Sequence, residues 1–168
     1  MDKAKAATRV RFYRFRNALK EKLSGGAGGP AVSAEALEKA AAALEKMSED
    51  YPDWVAAQVT ELRALHGRMV DTPETRRKTL DAIRALAQEI KGQGATFGYG
   101  LVTTFAASLQ DCSGPGAPLS DNHTEVVKAH VDSIAAVIKD RVKGNGGQIG
   151  KELTDQLKAA IEKHAVAA

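Results

Sequence analysis

The residues of this chain that could perform chemistry are four histidines and a single cysteine, Cys112. The histidines are His66, His123, His130 and His164. An imidazole can accept a phosphoryl group or bind a metal, because one ring nitrogen keeps a free lone pair near neutral pH. No two histidines are three or four residues apart, so they lack the spacing of paired metal ligands on a helix. A lone cysteine supports neither a disulfide framework nor a cysteine-rich metal site, and we expect no metal and no cofactor.

A second candidate site lies in the stretch IRALAQEIKGQGATFGYG, residues 83–100, where glycines interrupt a helical pattern. An interior glycine costs a helix about 1 kcal/mol relative to alanine, so its presence calls for an explanation. At about 100° per residue, Gln88 and Gly92 fall on the exposed face, whereas Gly94 falls on the inner stripe. Another surface could approach the backbone at Gly92, and the basic residues beside it would suit an acidic or phosphoryl group. The residues that we assign to this partner-binding face are Arg84, Gln88, Lys91, Gly92 and Gln93.

The elements that must position these residues are helices, because apolar residues recur at helical spacing through most of the chain. Ser33 is a good N-cap for a helix over about 33–49. We expect Pro52 to mark the start of a separate helix over about 53–70.

The helix that carries the partner-binding face is expected to open at Thr72 and Pro73, as N-cap and N1 proline. It should run to about Phe97 and end at Gly98. Gly94 on its inner stripe would let a neighbouring helix come close. The full inner stripe is expected to contain Leu80, Ile83, Ala87, Ile90, Gly94 and Phe97.

Three further helices are expected, over about 100–112, 121–143 and 149–165, with no strand anywhere. Consecutive amphipathic helices with short links predict an all-α fold, an up-and-down four-helix bundle with additional N- and C-terminal helices. We therefore divide the chain into a basic helix with a glycine-rich linker, residues 1–32, and a bundle domain, residues 33–168.

Basic charge is concentrated at the N-terminus of the chain. Residues 1–22 hold eight basic and two acidic residues, a net charge of +6, whereas the remainder has a net charge of −3. Arginines interleaved with Phe12 and Phe15 could touch nucleic acid or an anionic membrane. We favour packing of these phenylalanines on the bundle or on a second subunit, since one basic helix is a weak nucleic-acid signal. With no apolar run of about 18 residues and no signal core, we expect no membrane span and a cytoplasmic location.

The segment AQEIKGQGATFGYGLVTTFAASL resembles the histidine phosphotransfer (HPt) domain of bacterial two-component phosphorelays. The signature of that family is a histidine, two residues and then Lys-Gly, followed by small residues and a second glycine. The matching residues here are Ile90, Lys91, Gly92, Ala95 and Gly98. The resemblance extends to helix order and covers about residues 50–145. It implies an HPt-like bundle whose partner is a response-regulator receiver domain or a histidine kinase.

This chain departs from the family at the phospho-accepting position, where it has Gln88 instead of histidine. The amide nitrogen of glutamine is delocalised into its carbonyl, so it is a poor nucleophile. We therefore expect a pseudo-HPt domain, not an enzyme, that binds a receiver domain without carrying phosphate.

Several alternatives remain open from the sequence. An active phosphotransfer protein could use His66, on the apolar stripe of its helix, or His123, in a first turn as a surface or capping residue. The bundle could instead serve dimerisation, so a homodimer is left open, or the basic arm could bind nucleic acid. The glycines of residues 83–98 could also serve only the packing of helices.

Overall fold

The computed structural model describes residues 33–165, which form helices and no strand. The five α-helices of this range are α1 (Ala34–Asp71), α2 (Arg76–Gly94), α3 (Gly100–Cys112), α4 (Asp121–Lys139) and α5 (Gly147–Ala165). A single 3-10 turn, Pro73–Thr75, precedes α2. The prediction of an all-α helical bundle is confirmed for these residues, and α3 has the bounds expected from the sequence. The helix predicted in the basic N-terminal arm lies outside the described residues.

The chain divides into two compact units, Met1–Glu38 and Lys39–Ala168. In the described part of the first unit, Ser33 caps the start of α1 as predicted, because its Oγ accepts a hydrogen bond from the Ala36 N–H at 3.1 Å. This bond satisfies one of the backbone donors that a helix start leaves without a partner.

The core lies in the second unit and is formed by one apolar stripe from each of α1 to α4, joined by Leu157 of α5. Buried residues recur at three- and four-residue spacing, as the amphipathic pattern predicted. On α2, the predicted inner stripe from Leu80 to Gly94 is buried, and Phe97 beyond the helix end is half-buried. Burial of each large aliphatic side chain contributes about 1.5–3 kcal/mol. The core therefore fixes which side of α2 faces outward.

The prediction that Pro52 starts a new helix is wrong, because α1 continues through it. A proline in a helix interior costs about 3 kcal/mol, since it lacks an N–H and its ring meets a carbonyl one turn earlier. Here Pro52 is itself buried, and the neighbouring Tyr51 stacks on Phe97 with ring centroids 4.9 Å apart. Tyr51 also lies 5.2 Å from the ring of Tyr99. Contacts between distant parts of the chain thus offset a local cost that is visible in the sequence.

The predicted ends of α2 also need correction. Thr72 makes no side-chain cap and Pro73 begins the 3-10 turn, so the α-helix starts only at Arg76. The guanidinium group of Arg76 is buried and donates to the Met69 carbonyl before this turn and to the Leu119 carbonyl before α4, which fixes the start of α2 against both segments. At its other end α2 stops at Gly94 rather than Phe97, and Gly98, with a φ of +81°, closes the turn that follows.

The fourth helix is four residues shorter than predicted. It ends at Lys139 because Arg141 adopts a φ of 50°, outside the helical region. The Arg141 side chain reaches back to α1, where it donates to the Glu49 carbonyl at 3.2 Å and to Asp53 Oδ1 at 3.3 Å. Glycines with positive φ then lead into α5, which begins at Gly147, two residues earlier than predicted.

Candidate functional site

The contact that positions the candidate site is the close approach of α2 and α3 at Gly94. A Cβ built on Gly94 would lie 2.6 Å from Thr103 Oγ1 and 3.0 Å from the Thr103 backbone nitrogen. The Gly94 carbonyl accepts a hydrogen bond from the Tyr99 N–H at 2.8 Å. Thr103 Oγ1 also donates to the Lys91 carbonyl at 3.4 Å, so α3 holds the last turns of α2. The prediction that Gly94 lets a neighbouring helix come close is confirmed.

The structure places most of the predicted partner-binding face on the outside of α2. Arg84, Gln88, Lys91 and Gly92 are exposed, whereas Gln93 is half-buried. Gln93 is less accessible because it lies three residues after the buried Ile90, and residues at that spacing share one side of a helix.

The surface at Gly92 is open. A Cβ built on this glycine would meet no atom within 4 Å, in contrast to Gly94 two residues later. The described neighbours therefore do not require a glycine at position 92. The local helix would be more stable with alanine there.

Gln110 on α3 joins the face and was missed in the sequence. Lys91 Nζ donates a hydrogen bond to Gln110 Oε1 at 3.1 Å, and Gln110 Nε2 donates to Gln88 Oε1 at 3.5 Å. The three side chains form one row across α2 and α3. The NH2 group of Gln88 takes no part in these two bonds, so it can donate to another group. No local sequence pattern identifies Gln110 as part of the face. The packing of the bundle decides which edge of α3 lies against α2, and that packing depends on distant residues.

The chemistry available to this face is binding through donors. The ammonium group of Lys91 and the amide of Gln88 are linked through Gln110, and the exposed Arg84 lies one turn before Gln88 on α2. Such charged and neutral donors suit a carboxylate or a phosphoryl oxygen. The amide of Gln88 offers no nucleophilic atom for phosphoryl transfer.

The two histidines considered as alternative phosphate acceptors are not open to a partner at Nε2. The Nε2 atoms of His66 and His123 are both buried and have no hydrogen-bond partner. His123 is a buried residue, so its predicted surface position is wrong; only its backbone N–H takes part in capping, by donating to Ser120 Oγ at 3.3 Å. Burial lowers the pKa of His123, with a smaller contribution in the same direction from Arg77, although a hydrogen bond with the Cys112 backbone opposes the shift.

His130 is a core residue whose two ring nitrogens are both bonded. It is fully buried, with Nδ1 2.8 Å from the Val126 carbonyl and Nε2 2.8 Å from Ser108 Oγ. The carbonyl can only accept, so Nδ1 carries the proton and Nε2 accepts from the serine hydroxyl. Burial lowers the pKa of His130, which keeps the ring neutral. The fourth histidine, His164, is half-exposed near the end of α5.

Fold and site together define an all-α helical bundle with a basic, sterically open face on its second and third helices. Comparison of the chain with protein-family models, with curated proteins and with solved structures finds no match. Within residues 33–165 no helix is long and apolar enough to cross a membrane. The same residues contain no group of three or more His, Cys, Asp or Glu side chains that could hold a metal ion. A function has therefore to be inferred from the face itself.

Proposed function

We propose that this protein is a pseudo-HPt domain that binds a response-regulator receiver domain without carrying phosphate. The binding face consists of Arg84, Gln88, Lys91, Gly92 and Gln110, with Gln93 at its edge. The observation that carries the proposal is the exposure of Gln88 beside an open Gly92, at positions that match the HPt signature. A cytoplasmic signalling role follows from this partner class.

The strongest support for an external partner is the glycine at position 92. It lies in the last turn of α2, two residues before the helix ends, where glycine lowers helix stability relative to alanine by up to about 1 kcal/mol. Nothing within 4 Å of its missing Cβ explains that cost, whereas Thr103 explains Gly94 fully. A partner surface that approaches the backbone at Gly92 would explain it, with Lys91 placed to meet an acidic group of that partner.

The histidines support binding rather than phosphoryl transfer. An acceptor must present a ring nitrogen to the phosphoryl group of its partner. The Nε2 atoms of His66 and His123 are enclosed, and both nitrogens of His130 are bonded inside the core. The exposed position that matches the family's acceptor holds Gln88, so the face can dock a receiver domain but offers no acceptor atom.

Binding can be tested with purified receiver domains from the organism that encodes this chain, titrated calorimetrically. We expect at least one domain to bind, with the modest affinity of transient signalling interfaces of under about 1,200 Å². Gly92→Arg should weaken that binding at least about tenfold, a loss of roughly 1.4 kcal/mol, because the side chain fills the open surface. Gly67→Arg is the matched control, since Gly67 also lies inside a helix with no atom within 4 Å of a built Cβ.

Two results would count against the proposal. If no receiver domain binds, or if Gly92→Arg and Gly67→Arg bind alike, the face on α2 is not the docking surface. If a radiolabelled phosphoryl group passes from a receiver domain to this protein and is lost in His66→Gln or His123→Gln, the protein is an active carrier instead.

A further inference from the structure

A groove between α1 and α4 takes no part in the receiver-binding face. It encloses a cavity of about 530 Å³, a volume within the roughly 300–1,000 Å³ of small-molecule sites. Val59 of α1 and Ile138 of α4 are its buried apolar lining residues. Alanines at positions 56, 135 and 136 also line it, and their small side chains leave open a space that larger residues would fill in a close-packed contact. The groove therefore offers an apolar bed of the size of a small ligand.

Hydrogen-bond donors that remain available in this groove belong to charged side chains. Thr60 Oγ1 already donates to the Ala56 carbonyl at 2.9 Å. The cationic lining residues are Arg63 and Lys139. Within residues 33–165, Lys139 Nζ has no hydrogen bond or ion pair. Arg63 is held only loosely, since its Nη2 lies 3.9 Å from Asp132 Oδ1. A ligand would thus be recognised through charge rather than through neutral hydroxyl or amide groups.

The sign of that charge is positive, because the acidic lining residue Asp132 is already paired. Asp132 Oδ2 accepts a hydrogen bond from Lys128 Nζ at 2.7 Å, while Oδ1 faces Arg63. The hydrogen bond and the charge of Asp132 raise the pKa of Lys128, as expected for a cation that has gained a partner. Three cations, with Lys139 the third, stand against one carboxylate. The groove therefore favours an anionic head group over a cationic one.

We infer that this groove binds a short amphipathic carboxylate, with its head group at Lys139 and its hydrocarbon chain along the alanines. The lining residues cover positions 56–63 of α1 and 132–139 of α4, a rise of about 10 Å in each helix. An extended chain of about eight carbons, with bonds of about 1.5 Å, has a similar length. The site shares no residue with the receiver-binding face and goes beyond the proposed function, so its failure would leave that proposal untouched.

The first test is a titration of the full-length chain with sodium octanoate, followed by NMR of the backbone amides. The largest shifts should occur at residues that line the groove, such as Thr60 and Ala136. Hexanoate and butanoate should bind progressively more weakly, by about two- to fourfold per methylene, since full burial of a methylene corresponds to about fourfold. Octylammonium should bind more weakly than octanoate. No binding of octanoate, or equal binding of both ions, would overturn the inference.

A variant that fills the groove tests its position. Ala56→Phe places a large side chain at an exposed lining residue, and octanoate binding should weaken at least about tenfold. Ala82→Phe is the matched control, because Ala82 is an exposed alanine that lines a separate groove of about 320 Å³ between α1 and α2. This control should bind octanoate like the wild type. Unchanged binding in Ala56→Phe, or equal losses in both variants, would contradict the assignment.

A variant of the head-group contact tests the chemistry of the site. Lys139→Gln changes an exposed residue at the end of α4, so helix content by circular dichroism should stay the same. Octanoate binding should weaken by about two- to fivefold, as for an exposed ion pair, whereas binding of uncharged 1-octanol should not change. If octanoate binds this variant as tightly as the wild type, or if octanol binding falls equally, the inference is wrong.

Discussion

Gly92 and Gly94 are two residues apart, yet the structure assigns them opposite roles. Gly94 faces α3, where a Cβ would collide with Thr103 Oγ1 at 2.6 Å and press on backbone atoms of Thr103 and Tyr99. Gly92 faces outward into open space. Gly94 therefore serves the packing of α2 on α3, whereas Gly92 is explained by the proposed partner.

Replacement of each glycine by alanine separates the two roles. Gly94→Ala should lower the free energy of unfolding by about 1–3 kcal/mol, because α2 and α3 must move apart. Gly92→Ala should raise it by about 0.5–1 kcal/mol, since alanine is the better helix former and meets no neighbour. Urea denaturation of both variants and the wild type measures these changes. A stabilised Gly94→Ala variant would show that the contact with Thr103 is not tight in solution.

At the scale of helices, α3 and α4 are joined by a buried polar bond as well as by apolar contacts. The Ser108 hydroxyl of α3 donates to Nε2 of His130 on α4, which requires a neutral imidazole. Protonation would replace this acceptor by a donor and place a charge in the core. The α3–α4 contact is therefore sensitive to acid.

The free energy of unfolding should fall as the pH falls. Burial holds the pKa of His130 below its ordinary value of 6.5, and that of His123 shifts in the same direction. The unfolded chain then binds more protons than the folded chain once the pH falls below about 6.5, so stability falls as the pH drops. Urea titrations at about pH 8 and about pH 5.5 should show this loss.

Single variants identify the groups responsible. His130→Gln should reduce the acid-dependent loss, whereas His164→Gln, at a half-exposed position, should leave it unchanged. An unaltered pH dependence in His130→Gln would remove this histidine from the explanation.

At the scale of the whole described molecule, one buried arginine ties three segments together. Arg76 Nε donates to the Met69 carbonyl near the end of α1, and Nη1 donates to the Leu119 carbonyl before α4, both at 2.7 Å. Nη2 lies 2.5 Å from Asp121 Oδ1 at the start of α4. The Arg76 side chain is 8% exposed and that of Asp121 is 90% exposed, so the backbone bonds matter more than the ion pair.

The two partners of Arg76 can be compared directly by thermal and urea unfolding. Arg76→Met should destabilise the protein by about 1–3 kcal/mol for each backbone carbonyl left without a donor. Asp121→Asn should cost less than about 1 kcal/mol, since it removes only an exposed charge at a helix start. Equal losses in both variants would show that the ion pair, rather than the backbone clamp, holds these segments.

These cases show which features can be read from the sequence and which cannot. Periodicity located α3 correctly and assigned opposite sides to Gly92 and Gly94, because both follow from the geometry of one helix. The continuation of α1 through Pro52 and the part played by Gln110 depend on contacts with distant segments. Such contacts leave no local pattern, so the sequence alone did not predict them.

The passage of α1 through Pro52 constrains how this chain can vary in length. Since one continuous helix carries both the packed residues after Ser48 and the exposed residues before it, the core determines the direction in which Leu44 points. One residue added between Met47 and Tyr51 would turn Leu44 around the axis by about 100°, whereas about seven residues, close to two full turns, would bring it back to within about 20°. Insertions and deletions at this junction therefore preserve the direction of Leu44 only when they amount to nearly whole turns.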